Sequence, residues 1–156
     1  MTVTTLSETA GLDQACIHAT CVSVGGKGLL LVGASGSGKS TLALQMMALG
    51  AQLVADDRVD LWLQADTVMA VAPTRLRGLI EARGIGLLQA VASEAVPITY
   101  VIDLDQTEPA RLPDPVQVSV LGQSVPLLRA HGLPNLPAAL MQLAKKGRVE
   151  PQWPSK

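Results

Sequence analysis

The sequence predicts an α/β domain whose mixed sheet is organised around one glycine-rich loop and the helix that follows it. Three observations lead there. The stretch Gly33-Ala34-Ser35-Gly36-Ser37-Gly38-Lys39-Ser40 fills every fixed position of the phosphate-loop pattern G-x-x-x-x-G-K-[ST]. An apolar run at 29–32 precedes it, and a helical apolar pattern over 40–49 follows it. The other strand signals come in neighbouring pairs across turn residues, which marks hairpins rather than regular strand–helix alternation.

Residues 1–14 show no sustained apolar period and are expected to be a flexible N-terminus. A single domain is expected over 15–147, with a polar tail over 148–156. Residues 19–24 and 29–32 read as a hairpin about Gly25-Gly26-Lys27-Gly28. The helix over 40–49 repeats Leu42, Ala43, Met46, Met47 and Leu49 and stops at Gly50. Residues 51–55 read as a short strand ending in Asp56-Asp57. Residues 59–64 alternate apolar with polar, and 67–71 pair with them across Ala65-Asp66. The stretch 73–88 is richer in charge, with Arg75, Arg77, Glu81 and Arg83, and carries Gly78, Gly84 and Gly86. A buried strand is expected over 98–104, a proline-rich loop holding Arg111 over 108–115, and a hairpin of 116–121 with 124–128 about Gly122-Gln123. A last helix, with proline in its first turn, spans 137–146.

Composition narrows the functional classes. At 156 residues, 48% hydrophobic and 16% charged, the chain can bury one sizeable core. Aromatics are 2% with no Phe, which argues against a base-stacking surface for single-stranded nucleic acid. A formal charge of −1 without a Lys/Arg run offers no DNA or anionic-membrane surface. No apolar run has transmembrane length, and 1–13 lacks the basic start and apolar core of a signal peptide. The expectation is a cytoplasmic enzyme without nucleic-acid or membrane partners. Cys16 and Cys21, which bracket His18, are expected as buried free thiols.

The loop residues each have a job. Gly33, Gly36 and Gly38, with Ala34, Ser35 and Ser37 between them, let successive backbone N–H groups turn inward around anionic oxygens, at a helix N-terminus that favours phosphate. Lys39 can reach the β- and γ-phosphates, Ser40 can ligate Mg2+, and Thr41 closes the binding stretch. Asp56 and Asp57 follow Ser40 by 16 and 17 positions, at a strand end where a carboxylate can support the metal. Neighbouring side chains of an extended strand point to opposite sides. One carboxylate can therefore position a group while the other accepts the proton of an attacking hydroxyl.

Taken in order, His18-Ala19, the glycine hairpin, the loop, Leu53-Val54-Ala55-Asp56-Asp57-Arg58-Val59 and Glu81-Ala82-Arg83-Gly84-Ile85-Gly86 carry a resemblance. Over residues 15–130 the chain resembles the catalytic domain of HPr kinase/phosphorylase, and looks like the short version seen in alphaproteobacteria. The resemblance implies a fold like that of phosphoenolpyruvate carboxykinase and an ATP- and Mg2+-dependent protein-serine kinase. Its partner would be an HPr-type phosphocarrier of a phosphotransferase system, with dephosphorylation by inorganic phosphate in many members and a homo-oligomer, commonly a hexamer. It further implies that Lys39 and the loop hold ATP, and that Ser40 and Glu81 hold the metal. Asp57 would act as base, Asp56 would sit against His18, and Arg111 would contact the phosphorylated serine. The chain departs from the family pattern at Thr41, where Glu is common, and after Leu128, where His131-Gly132-Leu133-Pro134 replaces a Gly-Arg-Asn segment. A nucleotide-dependent switch without catalysis and a small-molecule kinase on the same scaffold stay as alternatives.

Overall fold

The computed structural model describes residues 3–149. The chain runs β1 (Val3–Thr4), a 3-10 turn (Leu6–Thr9), β2 (Gln14–Ile17), β3 (Thr20–Val24), β4 (Lys27–Val32), α1 (Lys39–Ala48), β5 (Gln52–Ala55), β6 (Val59–Gln64) and β7 (Thr67–Val71). A second 3-10 turn (Thr74–Leu76) leads to β8 (Leu79–Ala82), β9 (Gly86–Gln89), β10 (Val96–Asp103), β11 (Val116–Val120), β12 (Gln123–Arg129) and α2 (Leu136–Lys146). Ten strands make one mixed sheet in the order β1-β2-β6-β7-β10-β4-β3-β5, with β12 joined to β10 and β11 to β12. Strands β8 and β9 stand apart as a hairpin.

The alternation of side chains along the strands builds two cores. In β4, Leu30 faces a core shared with Ile17, Leu61, Val68, Val101 and Val125. Its neighbours Leu29 and Leu31 face a second core with Leu42 and Met46 of α1 and Leu140 and Met141 of α2. The central strands are thus buried on both faces, which is why they read as continuous apolar runs. Strand β10 is the seam. It pairs antiparallel with β7 at Val96 and Pro97, then parallel with β4 and β12. Val32, Asp103 and Arg129 lie in register, so the loops after three parallel strands emerge side by side. Open α/β sheets place ligands at such carboxyl ends.

Several expectations shift. Residues 3–14 carry β1, the first turn and the start of β2, where a flexible segment was expected. Thr9, buried within them, accepts the Leu121 N–H at 3.0 Å through its hydroxyl and so ties this segment to the β11–β12 turn. Glycine and charge in 73–88 conceal the β8–β9 hairpin, whose Ile80 is buried in the helix-side core. The β11–β12 turn is centred on Leu121 and Gly122, both at positive φ, one residue earlier than the glycine signal suggests. Residues 150–156 of the polar tail lie outside the described residues. Cys16 and Cys21 are free and buried. Among the described residues no helix is long and apolar enough to cross a membrane.

Gly28 sets the close approach of β4 to β10. A Cβ there would meet the Pro97 carbonyl oxygen at 2.8 Å and Val96 Cγ2 at 2.9 Å. Gly28→Ala is expected to destabilise the fold by about 1–3 kcal/mol, measured by urea unfolding; an unchanged midpoint would show that this seam tolerates spreading.

Candidate active site

The 33–38 loop joins β4 to α1, and its first residue has to be glycine. Gly33 has φ +153°, and a Cβ on it would come within 2.6 Å of Ser37 Oγ. The loop is held from behind by Asp105, whose Oδ2 accepts the Ala34 N–H at 2.8 Å. Gly38, also at positive φ, hands the chain to α1, and Lys39 opens the helix with its side chain largely buried. Its ammonium donates to the Gly33 and Ala34 carbonyls at 2.8 and 3.0 Å. Burial pushes the Lys39 pKa below its ordinary value, opposed by the charges of Asp105, Asp56 and Asp57.

Asp56 directly follows β5 and is buried. Its Oδ1 accepts the Ser40 hydroxyl at 2.7 Å and the Thr20 hydroxyl at 2.9 Å, and its Oδ2 accepts the Glu81 N–H at 3.1 Å. A buried carboxylate needs such donors to offset lost hydration. Because Ser40 gives its proton to Asp56, its oxygen lone pairs remain free for a cation.

At Asp57 the chain leaves extended geometry. Its φ is +71° and the Arg58 N–H bonds the Asp56 carbonyl at 2.8 Å, so the residue sits at the apex of a γ-turn. That conformation is strained for a non-glycine residue. It turns the Asp57 carboxylate, 59% exposed, toward His18. His18 Nδ1 lies 3.0 Å from the Asp57 carbonyl and 3.4 Å from Asp57 Oδ1. Both neighbours are acceptors, so Nδ1 carries the proton, and Nε2 faces the Ser35 hydroxyl at 3.4 Å. The partner of His18 is therefore Asp57; the expected contact with Asp56 does not form, because both Asp56 oxygens are taken by Thr20, Ser40 and Glu81 while the γ-turn brings Asp57 to the imidazole.

These groups share a cleft of about 470 Å3 lined by the loop, His18, Thr20, Asp56, Asp57, Glu81 and Arg83. The structure thus gathers His18, Ser35, Gly36, Gly38, Lys39, Ser40, Thr41, Asp56, Asp57 and Glu81 from the expected set. Arg111 stays apart, exposed on the segment between β10 and β11. Thr20 and Asp105 join the site without having been singled out. Asp105 had a readable signal, since it follows a buried strand at the edge where the loop emerges. Among the described residues, no three His, Cys, Asp or Glu side chains cluster closely enough to hold a metal by themselves. Mg2+ needs no such cage, as it takes one or two protein oxygens and completes its shell with water and phosphate.

The family model described as HPr Serine kinase C-terminal domain matches residues 11–117. A protein of Latilactobacillus sakei subsp. sakei named HPr kinase/phosphorylase is 42% identical over 80 residues, covering 51% of this chain and 26% of that protein. One of the same name from Lactobacillus johnsonii is 38% identical over 101 residues, covering 60% and 32%. The chain therefore spans about a quarter to a third of the length of these relatives. The solved structure of the Hpr(Ser) kinase/phosphatase from Coxiella burnetii superposes with a TM-score of 0.71 at 25% identity, over 83% of this chain and 93% of that one.

Two outcomes are expected from this geometry. Asp56→Ala strands three donors, at a cost of about 1–3 kcal/mol; a urea midpoint equal to wild type would mean that the frame around Asp56 reorganises freely. Inorganic triphosphate at the loop favours the charged ammonium of Lys39 and raises its depressed pKa. Binding should then take up a proton at alkaline pH, and affinity should fall as pH rises from the free pKa toward the bound one. Calorimetry in buffers of different ionisation heat measures that uptake, and its absence at every pH would remove Lys39 from the contact.

Proposed function

The chain belongs to the HPr serine kinase C-terminal-domain family, and from that premise we propose that it is an ATP- and Mg2+-dependent protein-serine kinase acting on an HPr-type phosphocarrier in the cytoplasm. The observation that carries the reading is the Ser40–Asp56 hydrogen bond with the exposed Asp57 carboxylate beside it, all facing one cleft with Lys39. A pure binding module has no use for a proton acceptor at that place.

The residues present fit the groups the reading requires. Ser37 Oγ is buried without a hydrogen-bond partner. Such an orphaned group is the kind a bound anion satisfies. Residues 33–41 would hold the triphosphate, with Lys39 exchanging its two loop carbonyls for phosphoryl oxygens. Ser40, oriented by Asp56, and Glu81, on the cleft wall, would hold Mg2+. When bound, the metal supplies neutralisation of the charge on the transferring phosphoryl oxygens.

Asp57 then does the proton work. It accepts the serine hydroxyl proton while the seryl oxygen bonds the γ-phosphorus and the bond to the β–γ bridging oxygen breaks, releasing ADP. His18 donates through Nδ1 to the Asp57 backbone carbonyl and so stands with its ring beside the Asp57 carboxylate, 3.4 Å from Oδ1. In reverse, with inorganic phosphate as acceptor, Asp57 returns the proton to serine and pyrophosphate leaves. Arg111 does not line the cleft; exposed between β10 and β11, it would meet the phosphorylated serine from the side of a docked carrier.

The test is transfer of labelled γ-phosphate from ATP to a purified HPr-type carrier, beside a carrier lacking its target serine, then a chase with inorganic phosphate. Serine-dependent labelling is expected, and label released as pyrophosphate would add the reverse reaction. Asp57→Asn should lower transfer by about 10²–10⁴-fold with ATP affinity retained; full activity in that variant would remove Asp57 from the mechanism.

A further inference from the structure

Three serines stand in the glycine loop and at its exit, and their hydroxyls meet different surroundings. Ser37 Oγ is buried without a hydrogen-bond partner. Ser40 gives its proton to the buried Asp56 carboxylate at 2.7 Å. Ser35 is exposed on the cleft, its Oγ 3.4 Å from His18 Nε2. We propose that Ser35 is a phosphoryl acceptor within the chain itself, taking the γ-phosphate of ATP with His18 as its base. The inference rests on the kinase reading and adds a self-modification that regulates the same cleft.

The alignment of three residues carries the proposal. His18 Nδ1 faces two acceptors, the Asp57 carbonyl at 3.0 Å and Asp57 Oδ1 at 3.4 Å, and so holds the ring proton. Nε2 of the neutral ring is then an acceptor, and the Ser35 hydroxyl is the donor between them. Carboxylate, imidazole and hydroxyl therefore stand in the order that activates a serine nucleophile, with a base in reach of the hydroxyl and a third group orienting the base. Such pairs are commonly long before substrate enters and tighten with it. The other two serines lack this arrangement. Ser37 has no base within hydrogen-bond reach, and the carboxylate that meets Ser40 is already engaged by Thr20 and the Glu81 N–H.

Proximity adds to the chemistry. Ser35 belongs to the loop assigned to the triphosphate, so no docking step has to bring it to the phosphorus. Ser35 Oγ bonds the γ-phosphorus, the bond to the β–γ bridging oxygen breaks with its electron pair, and ADP leaves. The hydroxyl proton passes to His18 Nε2, and the imidazolium so formed lies beside the Asp57 carboxylate, which offsets its charge. The product places about −1.5 to −2 of charge on the loop. That charge stands where an incoming triphosphate would lie, and like charges there oppose its binding. A docked carrier serine and Ser35 would therefore compete for one phosphoryl group, and a chain left without a carrier would close its own cleft.

The wild-type chain is incubated with γ-labelled ATP and Mg2+ in the absence of a carrier, and the modified residue is located by mass spectrometry. Phosphate on Ser35 is expected, formed at a rate constant independent of chain concentration. Calorimetry on the modified chain should show ATP affinity lower by about tenfold or more. At saturating ATP, His18→Gln should slow the labelling by about 10²-fold, while Ser35→Thr, which keeps a hydroxyl, should still take label at position 35. An unmodified Ser35 in a chain that labels a carrier overturns the proposal and leaves the kinase reading standing. Phosphate on another residue, a rate constant that grows with chain concentration, or an unchanged rate in His18→Gln overturns it too. A chain that labels neither itself nor a carrier overturns the kinase reading as well.

Discussion

The site depends on one buried carboxylate. Asp56 draws three donors onto its two oxygens: a hydroxyl from the start of β3, a hydroxyl from the first turn of α1 and a backbone N–H from β8. Each bond answers a local need, since a charge withdrawn from water must be met by hydrogen bonds. Together they fix how far the glycine loop stands from the cleft wall. Without that frame Ser40 would be one surface hydroxyl among several, and Glu81 would have no defined height above the loop.

The folded-over sheet supplies the rest. Because β10 accepts β7 at one end and β4 and β12 at the other, the central strands can be apolar on both faces. Three parallel strand ends in register then put the loop, Asp105 and the 130–135 segment on one rim.

Much of this was legible. The glycine loop, α1, the β3–β4 and β6–β7 hairpins and β10 announce themselves through local pattern, because each depends on residues close together in the chain. The mixed sheet followed from the paired strands. What stayed hidden depends on context. The β8–β9 hairpin buries little beyond Ile80 and Ala82, too few apolar positions to stand out from its charges. Leu121 takes a positive φ ahead of Gly122, so the turn begins one residue before the glycine that marks it in the sequence. At the site, the residue types were readable but their pairing was not. The pairing of Asp56 with His18 is implied by the family resemblance alone, and no local pattern announces the γ-turn that brings Asp57 to His18 instead.

The same frame has a consequence for how the chain comes to have a site at all. The partners of Asp56 lie 36, 16 and 25 residues away along the chain. Contacts of that separation require loops to close before they repay anything, so they form late, whereas helices and tight hairpins form early. The glycine loop leans on a contact of still longer separation, from the Ala34 N–H to Asp105, 71 residues away. The loop and the carboxylate beside it therefore take their places together, and both wait on the long-range pairing of the sheet.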